Sequence, residues 1–265
     1  MSLRINTNVE AFNAHRNLEG TSNKLAKSME RLSSGFRINR AADDAAGLAI
    51  SEKLRGQIGG LNQARRNTQD GISLVQTAEG SLTEVHSMLQ RTRELAVQYA
   101  NGTLATADRD AIVSEVTQLT DEITRIRDTS QFNGIQLLDG RNTSITFQVG
   151  ANDRETISAT SSDLSTAVGR IDIRAATALA DIDRAIGAVS DMRANFGAVQ
   201  NRLEHTYNNL SVYQENLTAS ESRIRDVDMA AEMVNFTKNN ILQQAGTSML
   251  AQAQQAPQAV LSLLR

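Results

Sequence analysis

Side chains able to do proton, metal or thiol chemistry are few in this chain and do not converge. The three histidines, His15, His86 and His205, sit on three separate segments, and none has a second histidine three or four positions on, so no metal centre is expected. Two close acid pairs, Asp43/Asp44 and Asp226/Asp228, have the residue types of a general acid and base. No pocket-forming sequence surrounds them, and both fall where helices begin or connect, so capping is the expected role. Cysteine is absent, which removes disulfides and thiolate nucleophiles without fixing a compartment. No glycine-rich phosphate loop, nucleophile elbow or zinc-protease His-Glu motif occurs. Met29, Met88, Met192, Met229, Met233 and Met249 stand at helical spacings, where packing is the default role. The chain is read as a non-enzyme with no cofactor.

The most telling stretch is one without chemistry. Asn239 to Leu264 carries no charged side chain, in a chain that is 22% charged. Its apolar residues Ile241, Leu242, Met249, Leu250, Val260, Leu261, Leu263 and Leu264 are interleaved with glutamine and alanine, which is too polar to span a bilayer and too apolar to face water alone. Packing among protein surfaces, with copies of itself first, is the expectation. The formal net charge is −3 and the basic residues are scattered, which excludes a concentrated nucleic-acid surface. The first twenty residues lack an apolar run of seven, so a cleaved secretory signal is not expected.

These residues must be carried by long helices, because the chain has one proline, Pro257, and nine aromatics with no tryptophan. Val9, Phe12, Leu18, Leu25, Met29 and Leu32 mark an amphipathic helix that closes at Gly35, a residue free to take a left-handed cap, and Ile5 joins Val9, Phe12, Leu18, Leu25 and Leu32 as an expected assembly residue. Asp43 or Asp44 is placed to cap a helix from about Ala45 to Tyr99, with an apolar seam through Leu54, Leu61, Val75, Leu82 and Leu89. Ile112, Val116, Leu119, Ile123 and Ile126 form a coiled-coil seam on a third helix. The period then changes to two at Ile145, Phe147 and Val149, which predicts a β-hairpin region near 135–158, followed by a polar stretch at 158–166 with room for a loop or one further turn. A helix beginning near Ile171 holds the strongest periodicity, Val199, Leu203, Thr206, Leu210, Tyr213, Leu217, Ser220, Ile224 and Val227, spanning roughly 43 Å. The fold class is mainly α: an elongated bundle of long coiled-coil-like helices with a small β-hairpin region and paired terminal helices. The expected segments are 1–34 (assembly helix), 35–46 (connector), 47–225 (bundle), 226–229 (connector) and 230–265 (assembly helix).

Several long motifs resemble bacterial flagellin: INTNVEAFNAHRNL, the run from SMERLSSGF to TAEGSL, QRTRELAVQ, QFNGIQLL and ILQQAGTSMLAQAQQAPQAVLSLLR. They occur at both ends in the right order and cover most of the chain. The resemblance implies a self-assembling filament subunit for swimming motility, located outside the cell in the flagellum and exported by the flagellar channel. Implied partners are copies of itself, the flagellar cap and junction proteins, an export chaperone on the C-terminal tail, and the animal toll-like flagellin receptor. The receptor contact would fall on Arg91, Leu95 and Glu115. A bundle-core role for Leu95 and a surface ion pair for the other two compete with that assignment. The short link before Ile171 implies a minimal subunit without large outer domains. A hook–filament junction protein is the near alternative, and a cytosolic helical adaptor the distant one; nucleic acid and membrane insertion are not expected.

Overall fold

The computed structural model describes residues 7–141, 144–160, 163–169 and 171–263, the last eight of these by backbone alone. The chain runs α1 (Val9–Ser34), α2 (Ala45–Tyr99), α3 (Thr106–Thr129), β1 (Gln131–Phe132), β2 (Ile135–Gln136), β3 (Ser144–Gln148), β4 (Thr156–Thr160), α4 (Leu164–Val168), α5 (Ala178–Arg225) and α6 (Met229–Leu263). It is mainly helical, with two small antiparallel hairpins. It divides into two compact units, residues 57–216 and residues 1–56 with 217–265.

The larger unit is built on α2, α3 and α5. Leu74, Val75, Ala78, Leu82, Val85 and Leu89 of α2 bury against Val189, Met192, Phe196, Val199 and Leu203 of α5, with Ile123 of α3 closing the third side. A second cluster joins Leu95 and Ala96 to Ile112, Val116, Ile173 and Ile182. No aromatic layer is needed, because long aliphatic stripes meet along the helices. Thr68 and Thr92 sit inside this packing, each hydroxyl donating to the carbonyl four residues earlier, so neither hydroxyl is left unpaired.

The hairpins cover one side of this core. Asn133 (φ 49°) and Gly134 (φ 79°) form the two-residue turn between β1 and β2, both in the left-handed region that a type I′ hairpin requires. β3 pairs with β4 in the register Phe147↔Ile157, and Ile157 and Ala159 point into the core. Asn67 of α2 donates to the Gln148 carbonyl at 3.1 Å, which ties this hairpin to the helix. Gly60 permits the close approach: a Cβ there would lie 2.8 Å from the Ala151 side chain and 3.2 Å from its Cα.

Three expectations are corrected. Ser158–Thr160, expected in a polar stretch, belongs to β4, because Ile157 and Ala159 are paired across the ladder with the apolar Phe147 and Ile145. The last long helix begins at Ala178 rather than near Ile171; Ile173 is buried from a turn stabilised by Asp172, which accepts from the Arg174 amide. Its seam is buried at Val199, Leu203 and Leu210 but opens at Tyr213, which is exposed.

Candidate assembly surface

The second unit is a helical pair with its connectors. Asn8 caps α1 by accepting from the Ala11 amide at 3.0 Å, and its side-chain amide donates to the Ala253 carbonyl of α6 at 2.7 Å. At the other end Gly35 takes φ 74° and its amide donates to the Arg31 carbonyl, the left-handed cap that the sequence predicts. Beyond it the two connectors are zipped together: the Arg37 amide donates to the Arg225 carbonyl at 2.7 Å, and the Val227 amide donates to the Gly35 carbonyl at 3.0 Å. The Arg37 guanidinium donates to the Ile224 carbonyl, while Arg225 lies over the Phe36 ring and pairs with Glu52 at 2.7 Å.

The acid pairs do connector work. Asp44 accepts from the Gly47 amide at the start of α2, and Asp228 accepts from the Ala230 and Ala231 amides at the start of α6. Asp226 accepts from the Ser222 hydroxyl. Asp43 accepts from the Asn39 and Arg40 amides and pairs with Lys27 at 2.6 Å. The Lys27 ammonium and those amides hold its carboxyl down at about 2. Arg31 and the buried Glu232 lie 3.6 Å apart across the helical pair, matching charge where α1 meets α6.

The expected single apolar stripe of α1 separates into two faces. Leu18, Leu25 and Leu32 are half-buried with Ala11, Ala14 and Thr21, and Ser28 is buried, a seven-residue repeat laid against α6. Gly246 of α6 makes room for Leu18, whose Cδ1 lies 3.2 Å from where a Cβ would be. Val9 and Phe12 stand away from that face, and the Phe12 ring is 68% exposed. A helix turning 100° per residue puts positions 9 and 12 about 150° from the centre of the 11/18/25/32 stripe, so one helix cannot bury both sets against one partner.

α6 repeats the arrangement. Glu232, Phe236, Gln243, Gly246, Leu250 and Ala253 form its sheltered side, while Val234, Ile241, Leu242 and Met249 are exposed. Met233, Val234, Thr237, Lys238, Ile241 and Leu242 line an apolar groove of about 520 Å³ on the exposed side. Val234 is 68% and Met249 62% exposed. Monomeric surfaces rarely leave apolar side chains contiguous in this way without a partner. Of the expected assembly residues, Ile5 and Leu264 lie outside the described residues, as do the side chains of Val260, Leu261 and Leu263.

A second surface lies on the larger unit. Arg91 of α2 donates through Nε to Glu115 of α3 at 3.0 Å and also pairs with Glu94 at 3.2 Å; Arg91 and Glu94 are exposed and Glu115 is half-buried. Glu115, with Glu94 behind it, pushes the Arg91 pKa further up, although a guanidinium is charged at any working pH. Arg93 reaches Asp183 of α5 at 2.6 Å. Leu95 is not part of this surface. It is 2% exposed and packs among Ala96, Ile112, Val116 and Ile182, which corrects the expectation of an exposed leucine there. Leu95 lies about one turn from Arg91, and the packing of α3 and α5 against α2 encloses it.

Among the described residues no group of three His, Cys, Asp or Glu side chains is placed to hold a metal ion, and no helix is long and apolar enough to cross a membrane. A cavity of about 490 Å³ between α3 and α4 is lined by polar side chains such as Thr117, Thr120, Thr124 and Asp121.

Comparison with known proteins gives concordant matches. Residues 5–143 match the model for the bacterial flagellin N-terminal helical region, and residues 179–264 match that for the bacterial flagellin C-terminal helical region. The chain is 58% identical to a flagellin of Halalkalibacterium halodurans, over 98% of this chain and 99% of that protein. It is 50% identical to the flagellar filament 33 kDa core protein of Treponema phagedenis, over 98% and 99% respectively. Among solved structures, Bacillus cereus flagellin aligns with a TM-score of 0.51 at 34% identity, covering 55% of this chain and 88% of that one.

Proposed function

The chain belongs to the bacterial flagellin family, and we propose that it builds the filament that a swimming bacterium rotates, α1 and α6 closing on the same helices of neighbouring copies. It is a structural protein and not an enzyme. The observation that carries this reading is the double-faced character of α6: one side meets α1 in its own chain, and the opposite side keeps Val234, Ile241, Leu242 and Met249 uncovered. A homopolymer supplies cover for that side without a second gene product. Purified chain, seeded with short polymer fragments, should give long filaments in electron micrographs. A defined small oligomer under seeding would overturn this and favour an adaptor.

The charge-free tail fits the finer parts of the proposal. A segment without charge that lacks a partner needs a chaperone before export, and we assign that role to a flagellin export chaperone on α6. Passage through the flagellar channel then delivers the subunit to a growing end seated on junction proteins and covered by the cap. Identity of 50–58% to flagellins along nearly the whole chain favours the bulk filament over the junction, and abundance in sheared surface material measures the difference.

We further propose that the animal toll-like flagellin receptor binds the monomer at Arg91 and Glu115. Arginine with a planar, permanently charged head is a common interface anchor. Truncating Arg91 or Glu115 to alanine should weaken receptor binding at least tenfold, while Leu95→Ala should act through loss of bundle stability. Unchanged affinity in both Arg91→Ala and Glu115→Ala would remove the assignment and leave the filament reading intact.

A further inference from the structure

We propose that Met29, Met229, Met233 and Met249 are separate points of reversible sulfoxidation that together set whether the chain can assemble. This rests on the filament reading above. With no cysteine present, thioethers are the chain's only sulfur. Their distribution is uneven: these four side chains are exposed on α1 and α6, whereas Met192 is buried and Met88 packs against the core of the larger unit. Met233 lines the apolar groove with Val234, Ile241 and Leu242, and Met249 is exposed about four turns further along α6.

The oxidant is a peroxide. A sulfur lone pair attacks one peroxide oxygen, the O–O bond breaks, an S–O bond forms, and the other oxygen leaves as water after taking the proton. Sulfur loses two electrons and the peroxide gains them. The product carries a strong hydrogen-bond acceptor where the thioether was apolar. Around Met233 the side chains of Val234, Ile241 and Leu242 offer no donor and the Thr237 hydroxyl is committed to the Met233 carbonyl, so closing a neighbouring subunit over the sulfoxide buries a polar oxygen in an apolar seat, or draws the charged Lys238 into it. Reduction by a thiol-dependent methionine sulfoxide reductase reverses the step, the oxygen leaving as water and two thiols becoming a disulfide.

The test exposes soluble monomer to dilute hydrogen peroxide, maps oxygen addition by peptide mass, and measures the critical concentration for polymerisation. Met29, Met229, Met233 and Met249 should oxidise at least tenfold faster than Met192, and the critical concentration should rise at least tenfold. Treatment with the two reductases, one for each sulfoxide epimer, should restore assembly. The M29L/M229L/M233L/M249L chain should polymerise equally with and without peroxide. Equal oxidation of Met192, normal assembly of chain oxidised at all four positions, or no recovery on reduction would overturn the proposal. Should the leucine variant not assemble at all, reductase rescue of the wild type decides. Failure of the untreated wild type to polymerise is a separate result, which removes the filament reading and this proposal with it.

Discussion

At the scale of single residues, the unusual groups serve structure. Asp43 shows this most clearly, since its carboxyl is held near 2 by Lys27 and two backbone amides, below the roughly 3.9 of an unfolded chain. A depressed carboxylate stabilises the fold fully above the unfolded value and loses that contribution as pH falls through the folded one. Assembled Asp43→Asn polymer should therefore melt about 2–4 °C below wild type at pH 7, a difference of about 1 kcal/mol after allowing for the half-exposed Lys27. The gap should narrow below about pH 4, be small at about pH 2, where the folded carboxyl is half protonated, and disappear only below that. A gap independent of pH would mean that the Lys27 link contributes nothing. The sequence marked Asp43 and Asp44 as capping residues but could not say which does what, because cap geometry depends on where Gly47 and Arg40 present their amides. Leu95 was harder still. The motif around it gives an address, and only the packing of α3 and α5 against α2 decides that the side chain faces inward.

At the scale of elements, glycines on α2 separate two opposite effects. Gly60 lies against Ala151 of the β3–β4 connection, while Gly80 has nothing within 4 Å. Both should gain up to about 1 kcal/mol of helix propensity as alanine. At Gly60 the added methyl meets backbone and should cost roughly 1–3 kcal/mol by displacing the hairpin. Thermal melting of monomer should therefore rise for Gly80→Ala and fall for Gly60→Ala; a rise in both would show that the hairpin does not rest on α2 as described. On α5, Leu210→Asp puts an unpaired charge into the seam and should destabilise the bundle by about 3–5 kcal/mol, whereas Asn208→Asp, at an exposed position, should stay within about 0.5 kcal/mol. Equal shifts would contradict the register. Periodicity made the long helices legible because their apolar stripes repeat over many turns. It failed at β4, where Ile157 and Ala159 alone carry the alternation, and at the start of α5, where Ile173 is buried without being helical.

At the scale of the whole molecule, the terminal helices explain why the chain belongs in a polymer. Periodicity found the apolar residues of α1 and α6 but could not divide them between the face that meets the same chain and the face that meets another. The structure makes that division, with Leu18, Leu25 and Leu32 on one side and Val9 and Phe12 on the other. A two-helix pair with one side uncovered buries little apolar area against an ordering cost of about 1–2 kcal/mol per residue, so it should open readily in the monomer and close on assembly. Amide hydrogen exchange over residues 9–34 and 229–255, compared between monomer and polymer of the same preparation, measures this directly. The account expects near-complete exchange within minutes in the monomer and strong protection in the polymer, while α2 and α5 of the larger unit are protected in both. Strong protection of α1 and α6 in the monomer, unchanged on polymerisation, would contradict the coupling of their folding to assembly.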